Sequence, residues 1–365
     1  SLLLAIFNVN YFMNLCKRIS FEEGLELFVS SPIERLQERA DAIRKERYPS
    51  NEVTYVLDAN PNYTNICKID CTFCAFYRKP KSPDAYLLSF DEVRSLLQRY
   101  VSSGVKTVLL QGGVHPGLGI DYLEELVRIT VQEFPSIHPH FFSAVEIEHA
   151  CRVSGISIEQ GLQRLWDAGQ RTIPGGGAEI LSERVRKIIS PKKMQPGGWI
   201  NLHKLAHLMG FRTTATMMFG HVENPEDILI HLQTLRDAQD SCPGFYSFIP
   251  WSYKPGNTAL RRNVPQQASI ETYYRILALG RIFLDNFDHV AASWFGEGKS
   301  LGAKALHYGA DDFGGVILDE SVHKATGWSI QSSEEEICNI IRSEGFIPVE
   351  RNTFYQHISC TVSSL

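Results

Sequence analysis

This 365-residue chain has no long apolar run, no cluster of basic residues, no dense set of cysteines and no low-complexity linker. Each absence excludes something. The first twelve residues are apolar but fall well short of the ~20 needed to span a bilayer, and they lack the basic start and small-residue cleavage site of a signal peptide. They are read as a candidate upstream extension of the reading frame, with Met13 as the candidate start, and no membrane association is expected. A net charge of -5 argues against a general nucleic-acid binder. Lys192 and Lys193 stand almost alone and fit a solvated turn. Eight cysteines, at 16, 67, 71, 74, 151, 242, 338 and 360, are too sparse for a disulfide scaffold and suit a reducing, cytoplasmic setting. With 44% hydrophobic residues the chain is long enough for one large α/β unit plus extensions.

Three of those cysteines are packed together. Cys67, Cys71 and Cys74 stand as C-x3-C-x2-C. Three thiolates on one loop can hold three irons of a cubane cluster and leave the fourth iron without a protein ligand, whereas an electron-transfer cluster normally takes four thiolates. A structural zinc site needs a fourth ligand at ordinary spacing. Neither His nor Cys recurs before His115, so zinc is the weaker reading.

The spacing, with Phe73 just before the third cysteine, resembles the signature of the radical S-adenosylmethionine superfamily. The resemblance implies one 4Fe-4S cluster on Cys67, Cys71 and Cys74, whose free iron chelates S-adenosylmethionine. It also implies cleavage of that cofactor to a 5′-deoxyadenosyl radical, with the protein positioning and shielding the chemistry.

Along the chain, helical and strand patterns alternate. A capping-box start at Ser20 and a Ser31-Pro32 start open two N-terminal helices within 20–52. Strand-like runs at 53–57, 105–110, 137–143, 170–173, 211–219, 244–250, 288–294 and 313–317 are separated by helical patterns. These patterns lie at 89–103, 121–134, 157–168, 195–209, 225–240, 268–286 and 299–308. Eight such repeats read as an α/β fold, a TIM-like (βα)8 barrel over 53–330. Residues 1–19 are an N-terminal extension and 331–365 a C-terminal helix/strand extension with a helix at 333–344.

Barrel enzymes keep their sites at the C-terminal strand ends, and polar or Gly-rich segments fall there. Gln111-Gly112-Gly113 is a tight turn on its own; under the resemblance it receives the cofactor's methionyl amino group. Glu146, with Ser143, is a candidate for the cofactor ribose, or else a helix-start acid at the surface. Phe73, Phe76 and Tyr77 are core aromatics or, as favoured here, an adenine wall. His221 and Glu223 follow an apolar run at a strand end and are the candidate catalytic pair, although a satisfied structural histidine fits equally. Pro174-Gly175-Gly176-Gly177 lacks the Lys-Ser/Thr of a nucleoside-triphosphate cradle.

The resemblance narrows further. Asn62-Tyr63-Thr64-Asn65, Cys74-Ala75-Phe76-Tyr77-Arg78, Pro174 to Ile180 and Gly309-Ala310-Asp311-Asp312 are similar to the branch that processes futalosine-type intermediates of menaquinone synthesis and deazaflavin precursors. Thr216 to Glu223, Phe248 to Trp251 with Pro255 to Thr258, and Ala292-Ser293-Trp294 are most similar to its cyclic dehypoxanthinyl futalosine synthases. Two departures stand out. Ser143-Ala144-Val145-Glu146 replaces the branch's Ser-Pro-Pro-Glu, and Phe295-Gly296-Glu297-Gly298 replaces its Val-Thr-Gln-Gly.

The implied substrate is dehypoxanthine futalosine. The radical takes the ribose C4′ hydrogen, the carbon radical closes on the aryl ring, and loss of a proton and an electron restores aromaticity. An external donor such as flavodoxin or ferredoxin is implied, and a base with it. Arg78, Arg171 and Lys254 are candidates for the substrate carboxylate. The alternatives are an aminofutalosine synthase, which adds a radical to an enolpyruvyl benzoate, a deazaflavin-precursor synthase, and a non-enzymatic metal module.

Overall fold

The computed structural model describes residues 17–315, 318–328 and 331–358. Residues 1–12, Met13 and the end of the 313–317 run lie outside them. Local chemistry sets the helix starts. Reciprocal capping boxes open Phe21–Ser30 (Ser20 with Glu23), Phe90–Ser102 (Ser89 with Glu92), Ile158–Ala168 (Ser157 with Gln160) and Pro225–Ser241 (Asn224 with Asp227). Gly155 and Gly169, both in the left-handed region, close two helices.

The strands, all parallel where they pair, are β1 (Glu52–Val56), β2 (Asp58–Ala59), β3 (Thr107–Val108), β4 (His138–Pro139), β5 (Thr172–Ile173), β6 (Arg212–Phe219), β7 (Phe245–Ser252), β8 (His289–Val290), β9 (Asp312–Gly315) and β10 (Ile347–Glu350). Leu57 separates β1 from β2, which together occupy one position in the barrel. Ladders then run β2-β3-β4 and β5-β6-β7-β8. The Ala291↔Asp312 bridge joins β8 to β9, which pairs with β1. Between β4 and β5 the link is made by side chains. Thr172 Oγ1 lies 2.8 Å from His138 Nε2, and Gln170 Nε2 donates to Phe141 O at 2.7 Å. Eight strand positions therefore close a TIM-like barrel, with helices such as Ile120–Glu133 and Ile270–Phe283 burying apolar faces on it.

Two helices absent from the sequence pattern interrupt the simple repeat, Ala144–Ser154 and Glu183–Ile189. The expected helix at 333–344 forms as Glu334–Ser343. The strand that follows it, β10, pairs with the first four residues of β1, from Glu52↔Ile347 to Tyr55↔Glu350. It carries a plug into the floor of the barrel. Arg351 meets Asp312 through Nε–Oδ2 at 2.5 Å and Nη2–Oδ1 at 3.0 Å. Thr353 and Thr107 share a hydrogen bond at 2.7 Å, and Tyr355 OH donates to Ser247 Oγ at 2.9 Å. Among the described residues no helix is long and apolar enough to cross a membrane.

Candidate active site

A cavity of about 380 Å³ runs from the strand tops down the lumen to Arg351 and Tyr355. Cys67, Cys71 and Cys74 line one side, on a loop fastened at three points. Cys74 N donates to Cys71 O, Thr72 N to Ile189 O, and Leu260 N to Thr72 O. Ile69, Val114 and Val145 form an apolar cluster with buried Cys71, and half-buried Cys67 and Cys74 pack against it. Burial pushes the Cys71 thiol up to about 12 and raises that of Cys74. A site that discourages bare thiolates suits sulfurs whose charge a metal centre neutralises. Among the described residues no three His, Cys, Asp or Glu side chains are arranged around a single metal ion; thiolates that each take a separate iron have no need to converge.

The neighbouring turn is a strip where side chains would not fit. A Cβ on Gly113 would stand 2.4 Å from Ile66 O and 3.0 Å from Cys67 Cβ, and one on Gly112 would meet the Tyr63 ring at 2.7 Å. Glycine there keeps the backbone against the cysteine loop.

Ser143, Glu146, Gln111, Phe73, Phe76 and Tyr77 all line the same cavity. Glu146 differs from either sequence expectation. It starts helix Ala144–Ser154 but is buried, and both its oxygens are engaged. Oε1 accepts from Tyr63 OH and Gly112 N at 2.8 Å each, and Oε2 from Ser143 N at 2.7 Å and Ser143 Oγ at 2.6 Å. Burial raises its pKa against the pull of those four donors.

His221 and Glu223 are not among the cavity's lining residues. His221 Nε2 lies 3.0 Å from Met218 O, and Val222 N donates to its Nδ1 at 2.8 Å. The Glu223 carboxylate accepts from the backbone amides of Gly220 and His221. Both side chains build the turn after β6, so the expectation of a catalytic pair at the mouth is corrected: the ring has neither a lone pair nor a proton to spare. The candidate carboxylate ligands are also occupied elsewhere. Arg78 binds Ala75 O, Phe76 O and Tyr77 O, Arg171 lies over Trp166, and Lys254 is enclosed by Ser252, Gly296 and Trp328.

Other groups take their place. Lys193, expected on a solvated turn, is largely withdrawn into the cavity wall, 2.5 Å from Glu179 Oε1 and 5.2 Å from the centre of the Phe73 ring. Burial opposes its charge, but the Cys71 sulfur and the Glu179 carboxylate prevail and raise its pKa. Only Lys192 is solvated, paired with Asp70. Glu320 and His323 complete the rim, a pair the sequence reading did not identify. Three lining residues carry a buried polar atom with no partner, Asn62 Oδ1, Ser293 Oγ and His323 Nε2. Such atoms are costly unless something fills them. Asp70, Phe142, Glu179 and Ser293, on the loops around this cavity, hold positive φ without being glycine, a strain that tends to gather at functional sites.

Comparison with known proteins agrees with this geometry. Residues 61–235 match the Radical SAM superfamily, and 242–363 match the CofH/MqnC C-terminal region. The chain is 39% identical over 344 residues to a cyclic dehypoxanthine futalosine synthase of Streptomyces coelicolor, covering 93% of this chain and 86% of that protein. It is 38% identical over 344 residues to a 5-amino-6-(D-ribitylamino)uracil--L-tyrosine 4-hydroxyphenyl transferase of Methanococcoides burtonii, covering 92% and 95%. The crystal structure of methylornithine synthase superposes with a TM-score of 0.72 at 15% identity, covering 91% of this chain and 94% of that one, which supports the barrel fold. Membership implies a 4Fe-4S cluster and S-adenosylmethionine, and the three thiols, the glycine strip and the partnerless polar atoms fit them. The chain belongs to the radical S-adenosylmethionine superfamily, in the group that holds the cyclic dehypoxanthine futalosine synthases.

Proposed function

We infer that this enzyme converts dehypoxanthine futalosine to its cyclic form in menaquinone synthesis. The observation that carries the reading is the 39% identity to a cyclic synthase along nearly the whole chain, over a cavity that carries the cysteine triad. When bound, the cluster and S-adenosylmethionine supply a 5′-deoxyadenosyl radical able to take a hydrogen atom from the ribose C4′. Cys67, Cys71 and Cys74 would hold a single cluster. Gly112 and Gly113 keep the turn pressed against Tyr63 and the cysteine loop, where its backbone would face the methionyl end of the cofactor, with Gln111 at the base of that turn. Phe73, Phe76 and Tyr77 offer a flat apolar wall for adenine. Glu146 fixes the Gly112 amide and the Ser143 turn, so a ribose hydroxyl must share its oxygens. Lys193, held by Glu179, supplies positive charge beside the cysteines. An external one-electron donor such as flavodoxin or ferredoxin completes the requirement.

The test is anaerobic reconstitution, reduction and incubation with dehypoxanthine futalosine. The expected result is a product two hydrogens lighter, formed in step with 5′-deoxyadenosine. The near-equal identity to the 4-hydroxyphenyl transferase makes a second arm necessary. Turnover only with tyrosine and the ribitylaminouracil, or an adduct formed only from an enolpyruvyl benzoate, would refute the cyclase assignment.

A further inference from the structure

Segment 318–328 lies over the strand tops and is docked there by several contacts. Trp328 Nε1 donates to Phe295 O at 2.7 Å, Leu318 N to Asp58 O at 3.1 Å, and Asn257 Nδ2 to Ala325 O at 3.3 Å. Within it the Glu320 carboxylate accepts from the amides of Val322 at 2.9 Å and His323 at 3.0 Å, and faces His323 Nδ1 at 3.2 Å. Burial works against the Glu320 charge, but His323 and those amides hold its pKa below the usual carboxylate range. An ionised carboxylate can only accept, so it holds a ring proton of His323 on Nδ1 and turns Nε2 away from Glu320.

That Nε2 is buried with no partner. The ring is wedged edge-on between Phe295, 5.1 Å away, and Trp251, 5.7 Å away, which holds its orientation. His140, the other histidine lining the cavity among the described residues, shares a 2.8 Å hydrogen bond with Thr172, and burial drives it down to about 3. Of the two, His323 is the one with a buried ring nitrogen that has no hydrogen-bond partner.

We propose that His323 Nε2 removes the ring proton in the last step of the cyclisation, with Glu320 as its positioning residue. The assignment rests on the cyclase reading above. When the C4′ carbon has bonded to the ring, the C–H bond at the attacked carbon breaks. Its proton passes to Nε2, and the remaining electron leaves to a one-electron oxidant, a role the oxidised iron–sulfur cluster held by Cys67, Cys71 and Cys74 would supply. With the hydrogen atom already taken from C4′, the substrate has then lost two hydrogens.

The experiment uses the reconstituted holoenzyme and the variants His323→Gln and Glu320→Gln. In the wild type, product and 5′-deoxyadenosine rise together. In His323→Gln, 5′-deoxyadenosine still forms while cyclic product falls by about 10²-fold or more, the usual worth of a positioned base. A normal isotope effect on product appears when the attacked ring carbon carries deuterium. Glu320→Gln loses less product per 5′-deoxyadenosine, because its amide oxygen still accepts from Nδ1. Substrate binding, followed by Trp251 fluorescence, stays unchanged in both. Product keeping pace with 5′-deoxyadenosine in His323→Gln, or product lost only in proportion to weakened binding, overturns the proposal. A wild-type protein that makes no cyclic product refutes the cyclase reading itself and removes this assignment with it.

Discussion

At the floor of the barrel, Arg351 and Asp312 meet through two hydrogen bonds, Thr54 Oγ1 donates a third to Asp312 at 2.6 Å, and the Tyr355 ring stacks on His289 at 3.7 Å. At the mouth, Asn62, Ser293 and His323 each bury a polar atom with no partner, and the cysteine loop discourages its own thiolates. The same lumen thus has a floor where charge is neutralised internally and a mouth where polar groups are left open. Satisfied buried polar groups hold a structure in one arrangement, whereas open ones that line a cavity are placed to meet a ligand. The difference separates residues whose loss unfolds the protein from residues whose loss silences it.

The largest effect is expected at the mouth. Cys71→Ala should abolish 5′-deoxyadenosine formation, because two thiolates cannot hold the cluster, while the circular-dichroism melt of the metal-free protein stays near that of the wild type. A comparable loss of melting temperature would break the distinction between the two ends. At the floor, Arg351→Met leaves Asp312 buried without its ion partner and should cost about 3–5 kcal/mol in urea unfolding. Turnover per folded molecule should be preserved; a variant that is stable but inactive would move the floor into the catalytic machinery.

Acid should act through buried neutral imidazoles. His140 and His231 are driven down to about 3 by burial, against an unfolded value near 6.5. The unfolded chain therefore binds protons that the folded one refuses. Stability from these groups is full above about pH 6.5 and declines toward pH 3, by up to about 1.4 kcal/mol per pH unit for each. Urea midpoints measured between pH 7.5 and 4.5 should fall accordingly; flat midpoints would contradict it. The smallest effect is expected for Lys192→Ala, which removes an exposed ion pair with Asp70 and should change stability by no more than about 0.5 kcal/mol.

The sequence was most informative where local rules determine the structure. The Ser20/Glu23 box, the helix expected from about Ser89 and the strands expected at 211–219 and 244–250 all formed as read. Helix Ala144–Ser154 was missed although Ser143-x-x-Glu146 is itself a capping-box signature, because Ser143 and Glu146 were read as a strand-end polar segment. Lys193 could not be told from Lys192 by pattern, since its burial depends on Glu179 and Phe73 arriving from other loops. His221 attracted attention by following an apolar strand, yet it turned back onto Met218 O. His323 sits in a polar segment with no periodicity, and long-range contacts such as Trp328 on Phe295 and Asn257 on Ala325 bring it to the mouth.

The pairing of Glu52 with Ile347 also bears on how the protein is made. The first strand to leave the ribosome waits for nearly the last before its edge is covered, and long-range pairing of this kind folds slowly. Until then the nascent barrel exposes an open strand edge and an apolar lumen, the surfaces on which aggregation begins. The C-terminal strand is thus also a timer: a ribosome that stops before Arg351 releases a barrel without its floor, exposed to chaperones and proteases.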